Sequence, residues 1–403
     1  MCACGPVRCG RPCWRTSPEQ CSPRRSTTFS RISWWAMSAR CIKLQVLQWR
    51  RRVFRGAILR TAATRNLGMQ DVKGRWPGLA DEVLAILRCL ACRGGLGQQI
   101  DGLVCAACGT RYPAVNGVVR FADEHNYADS FGFQWKLYAR TQLDDATSHR
   151  SENAFRQRTG FRPEDQAGKL VLDVGCGMGR FAEVATRWRA HVVGIDLMAS
   201  EVAAQNLSDR NAAIFQADVF QLPFATASFD FIYSLGVLHH TPDCEQAVKV
   251  LPKLLKPGGR IAVWLYSSYN PWYRMSDLYR KFTRRMPPQV LHKLCYAVIP
   301  LYAVHQVLRK IPLLGKTASG ALAWLVPMSF NTDATWRVLD TFDWYAPWHQ
   351  SKHTYEEVFR WFESCGLEDL RVIEPPIAVQ GRRPLGREPL PASETSGVQQ
   401  CAE

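Results

Sequence analysis

Residues 170–180 read LVLDVGCGMGR, and this short stretch decides the fold. Four apolar residues surround Asp173 in a run typical of a buried β-strand, and glycines then follow at positions 175, 177 and 179. Glycine is needed where a strand turns sharply into a helix and a ligand approaches the backbone, because a side chain there would obstruct the ligand. The stretch therefore predicts a strand, a tight turn and a helix around a nucleotide-type cofactor.

The spacing of the glycines indicates which cofactor. A dinucleotide fingerprint, G-x-G-x-x-G, would place its third glycine at position 180, where this chain has Arg180. The alternating glycines, with Asp173 two positions before the first, resemble the first motif of class I S-adenosylmethionine (SAM) methyltransferases. The resemblance implies SAM rather than NAD, and a tight connection without a ligand is the alternative for this motif taken alone.

The sequence downstream extends the resemblance. HVVGID ends on Asp196, where a carboxylate could accept both ribose hydroxyls, and Asp218 follows a third strand, where it could accept from the adenine amino group. Phe229–Leu235 is predicted to be a fourth strand, and LLKPGGRIAVWLY predicts a helix ending at Pro257 and Gly258 before a fifth. The predicted fold is α/β, a Rossmann-like class I methyltransferase sheet with helices on both faces, over residues 150–380.

The residues that the resemblance assigns to the cofactor lie at or near the carboxyl ends of the predicted strands. Ligands of doubly wound sheets bind at that edge. The predicted contacts with SAM are Asp173, Gly175, Cys176, Gly177, Gly179, Asp196, Leu197, Asp218, Val219 and Leu235.

The net charge of +16 is concentrated in residues 1–75. That segment holds 16 Lys or Arg against two acidic residues, which leaves 35 basic against 33 acidic residues elsewhere. A nearly neutral body does not favour an extended nucleic-acid surface. Residues 1–75 and 381–403 are predicted to be disordered tails; the first resembles a transit peptide in part, and a start assigned upstream of Met37 or Met69 would also explain it. Without an evident secretory segment, reduced or metal-bound cysteines and a cytoplasmic location are expected.

Residues 87–121 contain two C-x2-C pairs, Cys89 with Cys92 and Cys105 with Cys108. Four thiolates in two such pairs, joined by a polar glycine-rich hairpin, suit tetrahedral zinc. Four cysteines fill the coordination shell, so the predicted zinc is structural and not catalytic. Residues 83–122 resemble the small zinc-ribbon family that includes the activator subunit of tRNA and protein methyltransferases. A redox pair and a ribbon without metal are the alternatives.

Two further segments flank the predicted cofactor site. Residues 123–149 are predicted to form a linker helix in which Phe133, Trp135 and Gln142 could cover the cofactor, with ordinary packing as the alternative. Residues 267–350 interrupt the core and are predicted to form a helical lid. Within the lid, residues 294–308 carry no Asp, Glu, Lys or Arg and are too short to span a bilayer. They could lie on a membrane surface, line an apolar pocket or be buried in the core.

The candidate catalytic residues are His239 and His240, which follow the fourth strand, where the resemblance places residues beside the transferred methyl group. Either could deprotonate a hydroxyl near neutral pH, and shaping the pocket or capping a helix is the alternative. The stretch TFDWYAPWHQSKH, which begins in the lid and ends just after it, supplies four candidate substrate-binding residues, which could instead only close the lid: Asp343, Tyr345, His349 and His353.

The resemblance predicts a SAM-dependent methyltransferase. The neutral body and the apolar lid favour a small-molecule, glycan or lipid-linked acceptor methylated on oxygen, with peripheral membrane contact through the lid. An RNA methyltransferase is one alternative, but nucleic acid is the less favoured partner because the ribbon has arginines at 88, 93, 111 and 120 without a basic run. A non-catalytic SAM-binding regulator is the other alternative, and the intact glycines and both cofactor aspartates argue against it.

Overall fold

The computed structural model of the chain describes residues 80–386, except 124–126, 146, 271–272 and 375–376. The predictions for residues 1–75 and for 387–403 lie outside the described residues. Residues 381 and 382, which were predicted to begin the second tail, lie in the last strand, which extends to Arg382.

Strands and helices alternate in the central part of the described chain, from residue 170 to residue 216, as a doubly wound fold requires. The strands are β1 Leu96–Gln99, β2 Gly102–Cys105, β3 Arg111–Val115, β4 Val118–Arg120, β5 Leu170–Val174, β6 His191–Asp196, β7 Ala212–Gln216, β8 Phe229–Leu235, β9 Leu255–Trp264, β10 Glu368–Glu374 and β11 Ala378–Arg382. The helices of the first part are α1 Asp81–Ile86, α2 Asp129–Leu137, α3 Arg150–Thr159, α4 Pro163–Gln166, α5 Arg180–Arg187, α6 Ser200–Asn206 and α7 Cys244–Lys249. Those that follow β9 are α8 Tyr273–Thr283, α9 Pro288–Cys295, α10 Val298–Leu308, α11 Gly315–Leu325, α12 Ala334–Tyr345 and α13 Tyr355–Ser364.

The strands form one sheet in the order β1-β2-β3-β4-β7-β6-β5-β8-β9-β11-β10. Strands β4 and β7, and then β6, β5, β8 and β9, pair in parallel, whereas β11 is antiparallel to both of its neighbours. The chain reverses its direction across the sheet between β5 and β8, and this switch point is where open α/β sheets bind ligands. The glycine turn that follows β5 lies at that point.

Each face of the sheet carries its own hydrophobic core. Along β5, Leu170, Leu172 and Val174 pack on one side with residues of α7 and α13, whereas Val171 packs on the other side with α3, α5 and α6. Successive side chains of a strand point to opposite faces, so a strand that is apolar on both sides is covered by helices on both sides. The predicted Rossmann-like sheet with helices on both faces is confirmed.

One local prediction was wrong. The helix expected to end at Pro257 and Gly258 ends at Lys249, and both residues lie inside β9, which begins at Leu255. Gly258 has a φ of 77°, and the pairing of β9 with β8 is irregular opposite this point. Proline and glycine commonly follow the end of a helix, but here they mark an irregular entry into a strand.

The cysteine-containing segment continues the main sheet. Strand β4 pairs in parallel with β7 through Val119 and Arg120, which lie opposite Phe215 and Gln216. The Arg120 guanidinium donates a 2.8 Å hydrogen bond to Gln216 Oε1 and pairs with Glu201. Strands β1 to β4 therefore extend the edge of the sheet beside β7, the strand that precedes Asp218.

Residues 273–345 form a helical insertion between β9 and α13. Its own small core includes Leu291, Val298, Met328, Val338 and Phe342. Helices α8, α9 and α10 each pack against α12. Helix α12 is therefore the helix on which the other three meet. No helix in the described ranges is both long and apolar enough to cross a membrane.

Candidate active site

The glycine turn after β5 is shaped by backbone geometry. Gly175, Gly177 and Gly179 all have positive φ, at 78°, 55° and 91°. The amides of Gly175 and Cys176 donate to the Ile195 carbonyl over 2.8 and 2.9 Å, which ties the turn to β6. A Cβ on Gly175 would lie 2.3 Å from Val237 Cγ1, far inside contact distance. The turn therefore requires glycine at this position for two separate reasons, conformation and space.

Asp196 ends β6 beside the turn. One of its carboxylate oxygens accepts from the Gly177 amide at 2.9 Å, and the other accepts from the amides of Met198 and Ala199 at 2.9 and 2.7 Å. These three bonds fix the carboxylate at the carboxyl edge of the sheet. A carboxylate oxygen has more than one lone pair, so Asp196 keeps capacity to accept from ligand hydroxyls.

A cavity of about 490 Å³ opens at this edge of the sheet. Its volume falls within the range of roughly 300–1,000 Å³ that is usual for small-molecule sites. One wall, the cofactor wall, comes from the strand ends: Val174, Gly175, Cys176, Gly177, Ile195, Asp196, Leu197, Val219 and Leu235. A second group of lining residues, called here the acceptor wall, comes from other segments: Arg158, Arg180, His240, Trp264, Tyr266, Asn331, Trp336, Asp340, Asp343 and Trp344.

Three of the residues predicted to contact SAM do not line the cavity: Asp173, Gly179 and Asp218. Asp173 is buried within the sheet and accepts a 3.0 Å hydrogen bond from the Tyr233 hydroxyl. Its burial raises the pKa of the carboxyl to about 8. Gly179 precedes α5 and its amide donates to the Cys176 carbonyl, while Asp218 accepts from the Tyr127 hydroxyl at 3.1 Å. These three residues support the turn and its surroundings in this structure.

Helix α2 covers the cofactor wall. Trp135 and Gln142 line the cavity, as predicted from the linker. The Trp135 ring packs closely on Gly177, since a Cβ added to this glycine would lie only 3.3 Å from the ring. Phe133 does not line it and instead packs against His292 and Phe342 of the insertion. Tyr127 and Phe131 do line the cavity. Phe131 lies four residues before Trp135 and Tyr127 lies eight before it, just ahead of the first residue of α2. A spacing of four and eight is the pattern of one helix face, and it is the signal that could have identified them.

The two adjacent histidines have different positions. His240 lines the cavity, and its Nδ1 lies 3.1 Å from the His349 carbonyl. A carbonyl can only accept, so Nδ1 carries the proton and Nε2 keeps the lone pair in the neutral ring. Burial lowers the pKa of His240 to about 4. His239 is fully buried, does not line the cavity and stacks on Tyr266 with ring centroids 4.0 Å apart.

Of the four lid candidates, only Asp343 lines the cavity. Tyr345 packs in the core of the insertion and its hydroxyl donates a 2.7 Å hydrogen bond to the Pro327 carbonyl. His349 contributes its carbonyl to His240, and its ring packs edge-on against Tyr127. His353 lies 2.7 Å from the Ser351 hydroxyl through Nε2. Tyr345, His349 and His353 thus make contacts away from this cavity, and their binding of a substrate stays a prediction.

The acceptor wall contains charged groups that the sequence did not reveal as neighbours. Arg180 donates through Nε to the Ser151 hydroxyl at 2.9 Å, and its guanidinium lies over the Trp336 ring at 5.1 Å. Burial, with the nearby Arg158 charge, lowers the pKa of Arg180 to about 9. Burial, with the nearby Asp340, raises the pKa of Asp343 to about 8, so Asp343 is largely protonated at pH 7. A protonated carboxyl can donate a hydrogen bond as well as accept one.

The acceptor wall includes buried polar atoms that have no hydrogen-bond partner within the described residues. These atoms include Oδ1 of Asp343 and the indole Nε1 of Trp264. Buried polar atoms in folded proteins are nearly always paired with protein, water or ligand. The acceptor wall therefore fits a molecule with polar groups of its own.

The four cysteines form a compact cluster at the other end of the sheet. Cys89 Sγ lies 3.6 Å from Cys108 Sγ, Cys92 Sγ lies 3.4 Å from Cys105 Sγ, and all four sulfurs lie within 4.8 Å of one another. Sulfurs bound at 2.3 Å to one tetrahedral zinc ion would be roughly 3.8 Å apart. The Tyr112 hydroxyl accepts from the Leu90 amide and is 3.2 Å from Cys89 Sγ, so it can donate to a thiolate there. The residues fit a four-cysteine zinc site.

The cysteine cluster is fixed to the loop that follows β7. Arg93 donates to the carbonyls of Leu222 and Phe224, and the Arg88 amide donates to the Pro223 carbonyl at 2.8 Å. This loop follows Val219, which lines the cofactor wall. The cluster therefore supports the edge of the sheet that carries part of the cavity.

Comparison with known families identifies one domain. A family model described as a methyltransferase domain matches residues 172–263, about a quarter of the chain. This stretch therefore carries a methyltransferase domain, and it contains the glycine turn, Asp196 and both histidines.

The relatives found are methyltransferases with several kinds of acceptor. The chain is 30% identical over 136 residues to the protein described as "Probable tRNA methyltransferase 9B" of Mus musculus, covering 32% of this chain and 30% of that protein. It is 30% identical over 165 residues to a sterol 24-C-methyltransferase of Gibberella zeae, covering 39% and 40%. The chain thus spans less than half the length of either relative.

Among solved structures, the chain resembles an S-adenosylmethionine dependent methyltransferase from Mesorhizobium loti. The TM-score is 0.35 with 18% identity, and the match covers 58% of this chain and 99% of the other.

Proposed function

We propose that the protein transfers the methyl group of SAM to a hydroxyl of a small-molecule, glycan or lipid-linked acceptor bound in the 490 Å³ cavity. The observation that carries the proposal is the pairing of two unlike walls in one cavity. The cofactor wall offers a side-chain-free turn and a fixed carboxylate, Asp196, and the acceptor wall offers polar side chains whose hydrogen-bonding capacity is unused.

The cofactor wall suits SAM. The turn allows close approach of a ligand to the backbone, and Asp196 lies where ribose hydroxyls could donate to it. Trp135, on α2, provides an aromatic cover over Gly177. When bound, SAM supplies a methyl group on a positively charged sulfur, which a nucleophile can displace directly. The protein's main contribution is then alignment of the acceptor.

The acceptor wall suits a hydroxyl. His240 is neutral at pH 7, and its Nε2 lone pair can take the proton that an oxygen nucleophile loses. A pKa of about 4 makes it a weak base, so positioning the hydroxyl through a hydrogen bond is the larger part of its proposed role. Asp343, largely protonated, can donate to a second oxygen of the acceptor, and Trp264 Nε1 can donate to a third.

The similarity to a tRNA methyltransferase supports RNA as a second candidate acceptor. Against it, the ribbon arginines make internal contacts. The Arg88 guanidinium donates to the carbonyls of Ala85 and Leu87, at the end of α1. The Arg93 guanidinium donates to the carbonyls of Leu222 and Phe224, and Arg120 pairs with Glu201. Arginines held in this way contribute less to a phosphate-binding surface than free ones. A small acceptor is therefore preferred.

The four cysteines are proposed to hold a structural zinc ion. Four thiolates leave no open position for water, so the ion would stabilise the ribbon and the adjoining sheet edge without taking part in methyl transfer. The spacing of the sulfurs and the Tyr112 hydroxyl beside Cys89 support this assignment.

The experiment that tests the function has two stages. SAM binding is measured by calorimetry for the unaltered protein and for Asp196→Ala, with the exposed Asp209→Ala as the matched control. We expect binding in the micromolar range, lost in the first variant and kept in the second. Absence of binding by the unaltered protein would contradict the cofactor assignment.

Tritiated methyl transfer from SAM is then followed into an extract of the source cells. Label in the organic-soluble or small polar fraction supports the proposed acceptor class, and label in RNase-sensitive material supports the RNA alternative. Tight SAM binding without transfer to any fraction would favour a non-catalytic regulator.

A further inference from the structure

The helical insertion exposes an unusual share of the apolar surface. Thirteen of the twenty-one large apolar side chains exposed within the described part of the chain lie in residues 273–328: Leu278, Phe282, Met286, Val290, Leu294, Tyr296, Val304, Val307, Ile311, Leu313, Leu314, Trp324 and Leu325. Single exposed apolar residues are ordinary, but a concentration of them in one segment marks an interaction surface.

These side chains follow the helical repeat. Leu278 and Phe282 lie four residues apart on α8, Val290 and Leu294 lie four apart on α9, and Val304 and Val307 lie three apart on α10. Residues spaced three or four apart share one face of a helix. Each of the three helices therefore has an exposed apolar stripe, in addition to the face that it packs against α12.

The connection between α10 and α11 is the most exposed apolar part. In RKIPLLGK, residues 309–316, Leu313 is 100% exposed and Leu314 is 72% exposed. The two helices pack against each other and are joined by a hydrogen bond between His305 Nδ1 and the Ser319 carbonyl, 3.1 Å long. A rigid helical hairpin thus presents two leucines at its tip.

The charge of the segment indicates what covers this surface. Residues 273–328 contain nine Lys or Arg and a single acidic residue, Asp277. Arg309 and Lys310 directly precede the tip, and Lys316 directly follows it. Leucines flanked by lysines and arginines match the layering of a membrane surface, where apolar side chains enter the acyl region and cations meet anionic headgroups.

We propose that residues 273–328 of the insertion, which contain α8 to α11, dock the protein on the surface of a bilayer that contains anionic phospholipids, with Leu313 and Leu314 entering it. The helices are too short to cross: α10, at 11 residues, is about 16 Å long, against a hydrocarbon core of about 30 Å. The contact is therefore peripheral. It depends on the insertion alone and does not require the proposed methyl transfer.

The docking surface and the cavity share one helix. Helices α8, α9 and α10 pack on α12, and α12 supplies Trp336, Asp340, Asp343 and Trp344 to the acceptor wall. Docking would bring the acceptor wall next to molecules held in the bilayer. Within the proposed acceptor class, this position favours lipid-linked acceptors, because they are held in the bilayer.

Vesicle flotation of the full chain tests the proposal without measuring methyl transfer. Phosphatidylcholine vesicles with and without 30% phosphatidylglycerol are compared at 0.3 M NaCl, where the Debye length is about 6 Å and long-range attraction of the basic residues 1–75 is reduced. The test variant is Leu313→Glu. The control is Ile100→Glu, which adds the same charge at an apolar site in the β1–β2 turn that is 75% exposed.

We expect at least tenfold more binding to the anionic vesicles, at least a fivefold loss in Leu313→Glu, and binding of Ile100→Glu within twofold of the unaltered protein. Circular dichroism and thermal melting check that both variants are folded. Equal binding of the two variants would place the contact elsewhere, for example in residues 1–75, and would overturn the proposal. Absence of binding by the unaltered protein would overturn it as well. Light scattering tests whether a second copy of the chain occupies the surface instead. If the unaltered protein is a dimer, and Leu313→Glu abolishes the dimer without changing vesicle binding, the surface is assigned to that second copy and the proposal is overturned.

Discussion

The two walls of the cavity are built in different ways. The cofactor wall consists of strand ends and a glycine turn whose backbone amides are bonded to Ile195 and Asp196. The acceptor wall consists of side chains from α3, α5, the segment after β8, the end of β9 and α12. The first wall is held by main-chain hydrogen bonds between neighbouring strands, and the second is held by packing of the insertion.

The difference indicates which wall tolerates change. Altering the main chain of the cofactor wall disturbs the sheet itself, whereas altering a side chain of the acceptor wall leaves the sheet intact. We therefore expect changes to affect SAM binding strongly at the turn, moderately at the sheet edge and hardly at all on the acceptor wall.

The largest effect is expected at the turn. Gly175→Ala is unfavourable for two reasons: the backbone at this position has a positive φ, and the new Cβ would lie only 2.3 Å from Val237 Cγ1. The turn must shift to accommodate the methyl group, and SAM affinity should fall at least 100-fold, as measured by calorimetry.

Gly168→Ala is the matched control for that variant. Gly168 has a φ of 69°, but a Cβ added there would have no neighbouring atom within 4 Å, so the substitution adds only the backbone strain of about 1–2 kcal/mol. Its SAM affinity should stay within threefold of the unaltered protein. If both variants bind equally well, the turn does not control the cofactor wall.

An intermediate effect is expected at the cysteine cluster. Cys105→Ser removes a buried ligand of the proposed zinc site and loosens the ribbon that is bonded to Leu222 and Phe224. We expect loss of bound zinc from about one ion per chain, a melting temperature lower by about 10 °C, and SAM affinity reduced about tenfold.

Cys365→Ser, at a half-buried thiol outside the cluster, serves as the control and should keep its zinc and its melting temperature. Metal analysis and thermal melting provide the readings. Unaltered protein that contains no zinc after purification in zinc-supplemented medium would contradict the assignment.

The smallest effect on SAM binding is expected at Asp343, where stability should change instead. Burial raises the pKa of its carboxyl to about 8, whereas the same carboxyl ionises near pH 4 in the unfolded state. The neutral carboxyl therefore contributes to the free energy of unfolding fully below pH 4, and this contribution is lost as the pH rises from 4 through 8. Asp343→Asn cannot ionise, and relative to the unaltered protein it should gain about 2 kcal/mol between pH 6 and pH 9.

Urea unfolding at the two pH values measures this gain, and SAM affinity should stay within twofold. Asp209→Asn, whose side chain is 79% exposed, should show no gain. Parallel pH profiles for Asp343→Asn and the unaltered protein would show that Asp343 is ionised in the folded state, and its proposed hydrogen-bond donation would then be wrong.

The sequence predicted the cofactor wall because its determinants are local. A buried strand, a glycine turn and an aspartate at the next strand end each carry their own signal, and parallel strands bring their carboxyl ends to one edge. Asp173 was predicted by the same reasoning, but strand alternation turns its side chain toward Tyr233, and it does not line the cavity. Tyr345, a candidate from the lid, lies on the same helix as Asp343 but packs in the insertion core.

By itself, the sequence determined the α/β fold, the cofactor edge and the grouping of four cysteines, since short-range patterns of hydrophobicity, glycine and cysteine specify these features. Only the tertiary structure decided which residues face one another across the cavity. Arg158, Arg180 and Asp343 come from helices far apart in the chain, and no local pattern records their proximity. The physical reason is that their positions depend on how α3, α5 and α12 are placed in the folded chain, and packing is decided by the whole core at once.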